Sequence, residues 1–238
     1  MRLGALIGFL PPQSHSTALA EQARRYAGEG FDSLWAPQAI GRGFIIPDPF
    51  VALAVAATAT KDVELGTAVV QLSLYQPVDL AHRIFSLMHQ CGNRLALGVG
   101  AGSTETDFIA FERDYAKRFK TFNSTLARLK TLLADGKDEH ANLTPWNAVA
   151  GGPPLLFGSW GAGVERAAKD FAGWIASAHY RTADQVIEAL GRFRAAGGKR
   201  AIVSTIQLTA DRDVGQTRDL LQRFADAGFD DVVVRFRP

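Results

Sequence analysis

The sequence predicts an α/β protein folded as a single (βα)8 TIM barrel spanning residues 1–238. Three observations point there. Short apolar runs alternate with amphipathic stretches along the whole chain, and strict strand–helix alternation implies parallel pairing with right-handed crossovers. The phrase helix end, Gly, Phe, Asp, strand occurs at Tyr26–Trp35 and again at Phe224–Val234, with looser copies at Ala195–Val203 and Ala168–Ile175. Such self-similarity marks a repeated βα unit. The length, 238 residues, is that of one barrel domain. A doubly wound open sheet is the rival arrangement of the same elements.

The first strand is expected over Leu3–Phe9, buried on both faces and ended by Pro11-Pro12. A helix follows over Thr17–Glu29, with Ser16 or Thr17 as N-cap. Leu19, Ala23, Tyr26 and Ala27 form its apolar face, and Gly30 suits the left-handed position past its end. Phe31–Ala36 is the second strand. Asp48 caps a helix that Pro49 opens and that runs to Thr60. Val63–Val70 is the third strand and Pro77–His89 the third helix. Arg94–Val99 is the fourth strand, an apolar run broken by Gly98, Gly100 and Gly102. Thr106–Tyr115 is irregular or a short helix, Lys117–Ala134 is the fourth helix, and Gly136–Pro154 is a polar loop. Leu155–Phe157, Val164–Phe171 and Trp174–Ala178 supply strand, helix, strand. Thr182-x-x-Gln185 is a capping box opening the sixth helix. Ala201–Ile206, Asp211–Ala227 and Val232–Phe236 complete the pattern. This gives eight strands and seven helices, a barrel lacking the last helix. An exposed apolar strip is therefore expected beside strands seven and eight, covered by the partner in a homodimer or by the N-terminal segment.

Composition narrows the function. The net charge is +2 with Lys and Arg scattered, which leaves no footprint for nucleic acid. A single cysteine, Cys91, excludes an intrachain disulfide and a cysteine metal cluster, and makes a cytoplasmic location the default. No apolar run approaches the ~18 residues of a membrane span. Met1–Phe9 is apolar but short, and reads as a core strand rather than a signal peptide.

In such a barrel the active site lies at the C-terminal ends of the strands. The residues expected there are small or carry amides, and carboxylates are few. No acid pair suits glycosidase chemistry, and no His/carboxylate cluster suits a metal. A rim of this kind leaves the hard step to a cofactor. Gly158-Ser159-Trp160-Gly161-Ala162-Gly163, followed by a helix, is the best anion site, since free N–H groups and the positive helix end favour a phosphate. A flexible strand-to-helix turn would use the same glycines. The Gly98–Ser103 mouth on the adjacent strand tilts the balance toward phosphate, because glycines let backbone approach a large flat ring or a phosphate. Gly98-x-Gly100 lacks the third glycine and the immediate helix of a dinucleotide fingerprint. Among the histidines, His82 and His89 share a helix and read as structural, and His15 and His140 fall in loops. His179 ends strand six at the rim, placed for proton transfer or for holding a carbonyl. Gln38 can hydrogen-bond a ring edge or a substrate, or cap the Ile40–Gly43 turn.

Several stretches, in order over about residues 3–236, resemble the bacterial luciferase-like monooxygenase family. They are Phe31–Gln38, Asp48–Leu53, Glu64–Val69, Pro77–Ala81, Arg94–Gly100, and Gly158-Ser159 with Arg166-Ala167-Ala168. The resemblance implies a (βα)8 barrel that binds reduced FMN or the deazaflavin coenzyme F-420 (F420). It implies a non-proline cis peptide at Ala68–Val69, forming a bulge against the flavin ring. It places Gly100, Ala101, Gly102 and Ser103 over the phosphate and ribityl chain, and Gly158, Ser159, Trp160, Gly161 and Gly163 around the phosphate. Three departures matter, the first being the missing last helix, which would loosen cofactor binding. Ala101 stands where luciferase proper has an arginine, and Gln38-Ala39-Ile40 stands where it has a Glu-His-His run. Light-emitting aldehyde oxidation is therefore not expected, and Trp35-x-Pro37-Gln38 is closer to deazaflavin-dependent relatives. The expected activity is a flavin-dependent oxidoreductase acting on a small, largely apolar substrate held near Gln38, Phe44, Tyr75 and His179. With FMN the reaction would use oxygen and a flavin reductase as partner; with F420 a hydride would pass directly. A non-catalytic flavin-binding or scaffold protein of the same descent is the alternative.

Overall fold

The computed structural model describes residues 1–209, 211 and 213–236. Its strands are β1 (Arg2–Leu6), β2 (Ser33–Ala36), β3 (Glu64–Thr67), β4 (Val70–Gln71), β5 (Leu95–Gly100), β6 (Leu155–Gly158), β7 (Gly173–Ser177), β8 (Ala201–Leu208) and β9 (Asp231–Phe236). Every pairing among them is parallel. β1 pairs with both β2 and β9, while β3 pairs with both β2 and β5, so the sheet closes on itself and the open-sheet alternative is excluded. β3 and β4 are two halves of one stave, interrupted at Ala68–Val69, where the peptide bond is cis.

The helices are α1 (Ala18–Gly28), α2 (Pro49–Ala59), α3 (Pro77–Cys91), α4 (Glu105–Ala110), α5 (Arg118–Asp135), α6 (Gly163–Asp170), α7 (Ala183–Ala195) and α8 (Val214–Ala227). The eighth helix, absent from the count of seven, is α4. It is the short helix that Thr106–Tyr115 offered as an alternative to irregular structure, with Glu105 and Asp107 in its first turn favouring the helix N-terminus. β9 is followed by no helix among the described residues. Asp48 caps α2, accepting from the N–H groups of Phe50 and Val51, and Thr182–Gln185 forms the full capping box on α7. Thr17 sits at the N-cap of α1 but bonds Glu21 instead of the backbone. The first strand stops at Leu6, short of Phe9, because Gly8 turns the chain at φ +89 and its N–H goes to Gln22.

Alternation along the strands sorts the core. Leu6, Trp35, Ala96, Leu156, Ile175, Ile202 and Val233 fill the barrel interior, while Ala5, Leu34, Leu65, Val203, Val232 and Val234 face the helices. The indole of Trp35 occupies the space that Gly4 and Gly66 leave open. Below it, at the N-terminal end, Arg2 and Arg200 each bridge Glu64 and Asp231 at 2.5–2.9 Å. Burial opposes the charge on Arg200, but its hydrogen bonds with Asp231 and Glu64 outweigh this and raise its pKa.

The apolar strip expected beside the last two strands is not exposed. Val203, Val232 and Val234 are buried, Phe224 of α8 is buried with them, and Tyr26 and Phe31 meet Phe236. Among the described residues, Phe236 keeps about a third of its surface exposed, and Val214 at the start of α8 is exposed. The α1 end, part of the N-terminal segment expected as one of the two possible covers, and α8 pack there. No helix among the described residues is long and apolar enough to cross a membrane.

Candidate active site

The break between β3 and β4, the ends of β5 and β6, and the loop after β2 meet at the C-terminal rim. β5 and β6 are paired through Val99 and Phe157, which sets Gly100 beside Gly158. Val69 lies between them: a Cβ on Gly100 would stand 2.9 Å from Val69 Cγ2, and one on Gly158 2.7 Å from Val69 Cγ1. The two glycine turns thus converge, but the physical reason for glycine differs from the expected one. At Gly98 a Cβ would run into the Thr67 carbonyl and Ile175, and Thr67 Oγ1 donates to the Gly98 carbonyl at 2.7 Å. These glycines admit the chain's own backbone and side chains. Gly102, at φ +89, is closed in by Gln71 Oε1 and the Phe108 ring. Ala101 is buried, and its carbonyl accepts from Ser73 Oγ at 2.9 Å. Ser103 is exposed, its carbonyl accepting from Tyr115 Oη.

The turn before α6 keeps part of its anion-binding character. Gly161 adopts φ +61 with open space around it, and the guanidinium of Arg181 lies 4.9 Å over the half-buried Trp160 ring. Ser159 does not present its hydroxyl: Oγ donates to the Gly163 carbonyl at 2.8 Å. The N–H groups of Gly163 and Val164 are taken by the Trp160 and Gly161 carbonyls. A phosphate here would use the backbone of Trp160–Ala162 and Arg181, a cation that the glycine motif does not reveal.

Gln38 is buried, and it does not cap the Ile40–Gly43 turn. Its Oε1 accepts from the Gln71 N–H at 2.8 Å, and its Nε2 donates to Tyr75 Oη at 2.7 Å. The turn is held by Asp107 of α4. This fully buried carboxylate takes Arg42 Nε at 2.7 Å and Nη2 at 2.5 Å, and Gln71 Nε2 at 2.6 Å. Burial, then the Asp48 carboxylate, pushes the Tyr75 hydroxyl up to about 12. Phe44 is more than half exposed and lies on the outer rim. His179 stands across the mouth, with Gln207 Nε2 2.7 Å from its Nδ1 and the Tyr180 ring against it. Arg235 stacks on Phe9 at 3.9 Å in the same inner layer. His82 and His89, read as structural, are both exposed, and His89 stacks on Trp146.

Asp107, Gln71 and Arg42 are the site residues that motif reasoning missed. Arg42 and Asp107 are far apart in the chain, and no spacing rule joins them. Asp107 lies in a segment without helical periodicity, so no pattern in the sequence marks it. Among the described residues no His/Cys/Asp/Glu group could hold a metal ion. A larger cavity, about 510 Å³, opens at the opposite end of the barrel, beside Arg2, Glu64 and Arg94. The arginines there are committed to ion pairs and to backbone carbonyls.

The fold and this rim define a class. The luciferase-like monooxygenase family matches residues 4–232, and the chain belongs to that family. A 4-hydroxyprotoasukamycin monooxygenase of Streptomyces nodosus subsp. asukaensis is 33% identical over 118 residues, which are 49% of this chain and 32% of that one. The chain thus spans about a third of that relative's length. An F420-dependent secondary alcohol dehydrogenase, solved with an F420–acetone adduct, superposes with a TM-score of 0.77 at 15% identity, covering 99% of this chain and 93% of the other. The oxygenating constituent of 3,6-diketocamphane monooxygenase from Pseudomonas putida, solved with FMN, gives 0.72 at 18% identity over 97% and 80%. At these identities the structural likeness speaks for the fold.

Proposed function

We propose that the C-terminal rim binds FMN or the deazaflavin F420 and that the protein is an oxidoreductase acting on a small, largely apolar substrate. The observation that carries this reading is the open turn at Gly161, next to the rim where the β5 and β6 ends meet, in a chain of this family. The groups present fit a phosphorylated ring: an open Gly161 before a helix N-terminus, and Arg181 beside it. Trp160–Ala162 and Arg181 would hold the phosphate. Ala68, Val69 and Gly100–Ser103 would line the ring and its chain. The bound coenzyme supplies hydride transfer if it is F420, or oxygen chemistry if it is FMN delivered reduced by a reductase partner. Gln38 and Tyr75 orient the substrate from one side of the mouth. His179, oriented by Gln207, holds or moves a proton from the other. Phe44, Ile45, Ile109, Phe111 and Phe119, all exposed around the rim, suit an apolar substrate.

The test is titration of the protein with FMN and with F420, oxidised and reduced, following coenzyme absorbance and tryptophan quenching. Saturable binding of one coenzyme, weakened about tenfold in Arg181→Ala, is expected. Saturable binding of neither coenzyme refutes the proposal. Binding without turnover of any ketone, aldehyde or imine favours the scaffold reading, to which the filling of the glycine gap by Val69 lends some weight.

A further inference from the structure

The hydrogen bonds around Gln38 fix more than its position. A backbone N–H can only donate, so the Gln38 atom that meets the Gln71 N–H at 2.8 Å is the carbonyl oxygen. The atom 2.7 Å from Tyr75 Oη is therefore the amide nitrogen, and it donates. Tyr75 Oη is thereby the acceptor, and its own proton must point elsewhere. Among the described residues nothing accepts it. Burial keeps that proton in place across the neutral range. The arrangement is held from behind. Asp107 is fully buried and binds three parts of the rim at once: the Arg42 guanidinium, the Ile40 N–H and the Gln71 side chain. Ile40 and Arg42 belong to the loop that carries Gln38, and Gln71 supplies the N–H that sets the Gln38 amide.

We infer that Tyr75 is an oriented hydrogen-bond donor for the acceptor oxygen of the substrate, a carbonyl on an otherwise apolar molecule, and that Asp107 is the positioning residue that sets its direction. This rests on the reading of the rim as the substrate site and deepens it. The site then has one polar handle on its β2–β4 side, a donor that keeps its proton across the neutral range. It selects ketones, aldehydes and esters over hydrocarbons of the same shape. A cation or a second donor in the ligand would gain nothing from it.

The experiment compares acetophenone with ethylbenzene, which keeps the shape and drops the oxygen. Ligand-observed NMR on the full chain, without coenzyme and again with it, gives both affinities. Wild type should prefer acetophenone by about two- to tenfold, the range of one neutral hydrogen bond. Tyr75→Phe keeps the ring against Phe50 and should abolish the preference while leaving ethylbenzene binding unchanged. Gln38→Glu should abolish it too, because a carboxylate would accept the Tyr75 proton and turn it inward. Asp107→Asn should lose acetophenone affinity selectively, whereas simple loosening of the fold would weaken both probes alike. A preference that survives Tyr75→Phe, equal binding of the two probes by wild type, or binding of neither overturns the inference. Probe binding without coenzyme keeps this outcome separate from failure of the coenzyme titration.

Discussion

Glycine in a barrel strand can serve a ligand or a neighbour, and Gly66 separates the two. Trp35 is fully buried in the barrel interior, and its Nε1 donates to Ser33 Oγ at 2.8 Å. A Cβ on Gly66 would overlap Cε3 and Cζ3 of that indole, and even Cδ2 would stand only 2.8 Å away. Ordinary contact begins near 3.4 Å, so the ring or the strand must shift by roughly an ångström. Overpacking a full core costs about 1–3 kcal/mol, and the rigidity of the indole puts Gly66→Ala at the upper end, about 3 kcal/mol. For a chain of this length that lowers Tm by about 6–12 °C. Trp35→Leu removes ring volume and should cost about 3 kcal/mol by itself. In the double variant the new methyl enters the vacated space, so the two costs should fall short of their sum by about 2 kcal/mol. Urea unfolding, followed by circular dichroism and fluorescence together, measures all three, and an unchanged m value shows that the unfolded state is not the cause. A Gly66→Ala protein within 1 kcal/mol of wild type, or strict additivity in the cycle, would refute the packing argument. Loss of coenzyme affinity with stability unchanged would return Gly66 to the ligand.

Asp231→Asn strips the charge shared by Arg2 and Arg200 at the closed end. Arg2 keeps contact with water, so the cost should be about 2 kcal/mol, below that of breaking a fully buried pair, with coenzyme binding unchanged in the titration. Hydrogen bonding from Arg128, then from the His140 N–H, holds the Asp138 carboxyl at about 2. Its folded pKa is depressed, so its contribution is complete above the ordinary value near 3.8 and is lost as pH falls toward about 2; Tm against pH should flatten there in Asp138→Asn. Tyr75 carries the opposite sign: the unfolded chain ionises near 10 and the folded chain near 12. Stability should therefore fall between those values, and Tyr75→Phe should remove the matching step in absorbance at ~295 nm. Thr205 sits at φ +63 in the β8 bulge, a position that β-branched residues rarely tolerate. Thr205→Gly should stabilise by about 1 kcal/mol, read as a rise in Tm, and a fall would show that contacts of the threonine side chain outweigh the strain.

What was legible in the sequence follows the range of the interactions involved. Asp48-Pro49 and Thr182-x-x-Gln185 act within one turn, so their residue types state the geometry outright, and both form as read. The eight-stave barrel was legible because its period is written more than once, in two Gly-Phe-Asp phrases and two looser copies that each close a helix and open a strand. The rim residues that depend on pairing across the chain were not. Asp107 lay in a segment with no periodicity, and its value comes from Arg42 and Gln71, which reach it only once β2, β4 and α4 are in place. The glycines were visible, but their cause was not. Gly100 and Gly158 look alike in any text, whereas Val69 between them is a fact of register. Ser159 misleads in the same way: its type fits a phosphate, and its rotamer satisfies the helix instead.

The two ends of the barrel treat their polar groups differently, and that difference supports the proposed site at the C-terminal rim. At the N-terminal end both oxygens of Glu64 and both of Asp231 are taken by Arg2 and Arg200. Such a network excludes further partners and closes the floor. At the C-terminal end the fold brings equally polar side chains together and stops short of satisfying them. Gln71 Oε1 is buried with no donor, and the Tyr75 proton has no acceptor among the described residues. The buried Gln71 Oε1, left unpaired, costs about 1–3 kcal/mol, more than most surface contacts return, whereas Tyr75 is half-buried. Folding alone gives no reason to retain that cost at one end and remove it at the other. A rim that receives a carbonyl from outside, as proposed for Tyr75, would give one, because a donor already satisfied by the protein would have to break a bond before it could form one.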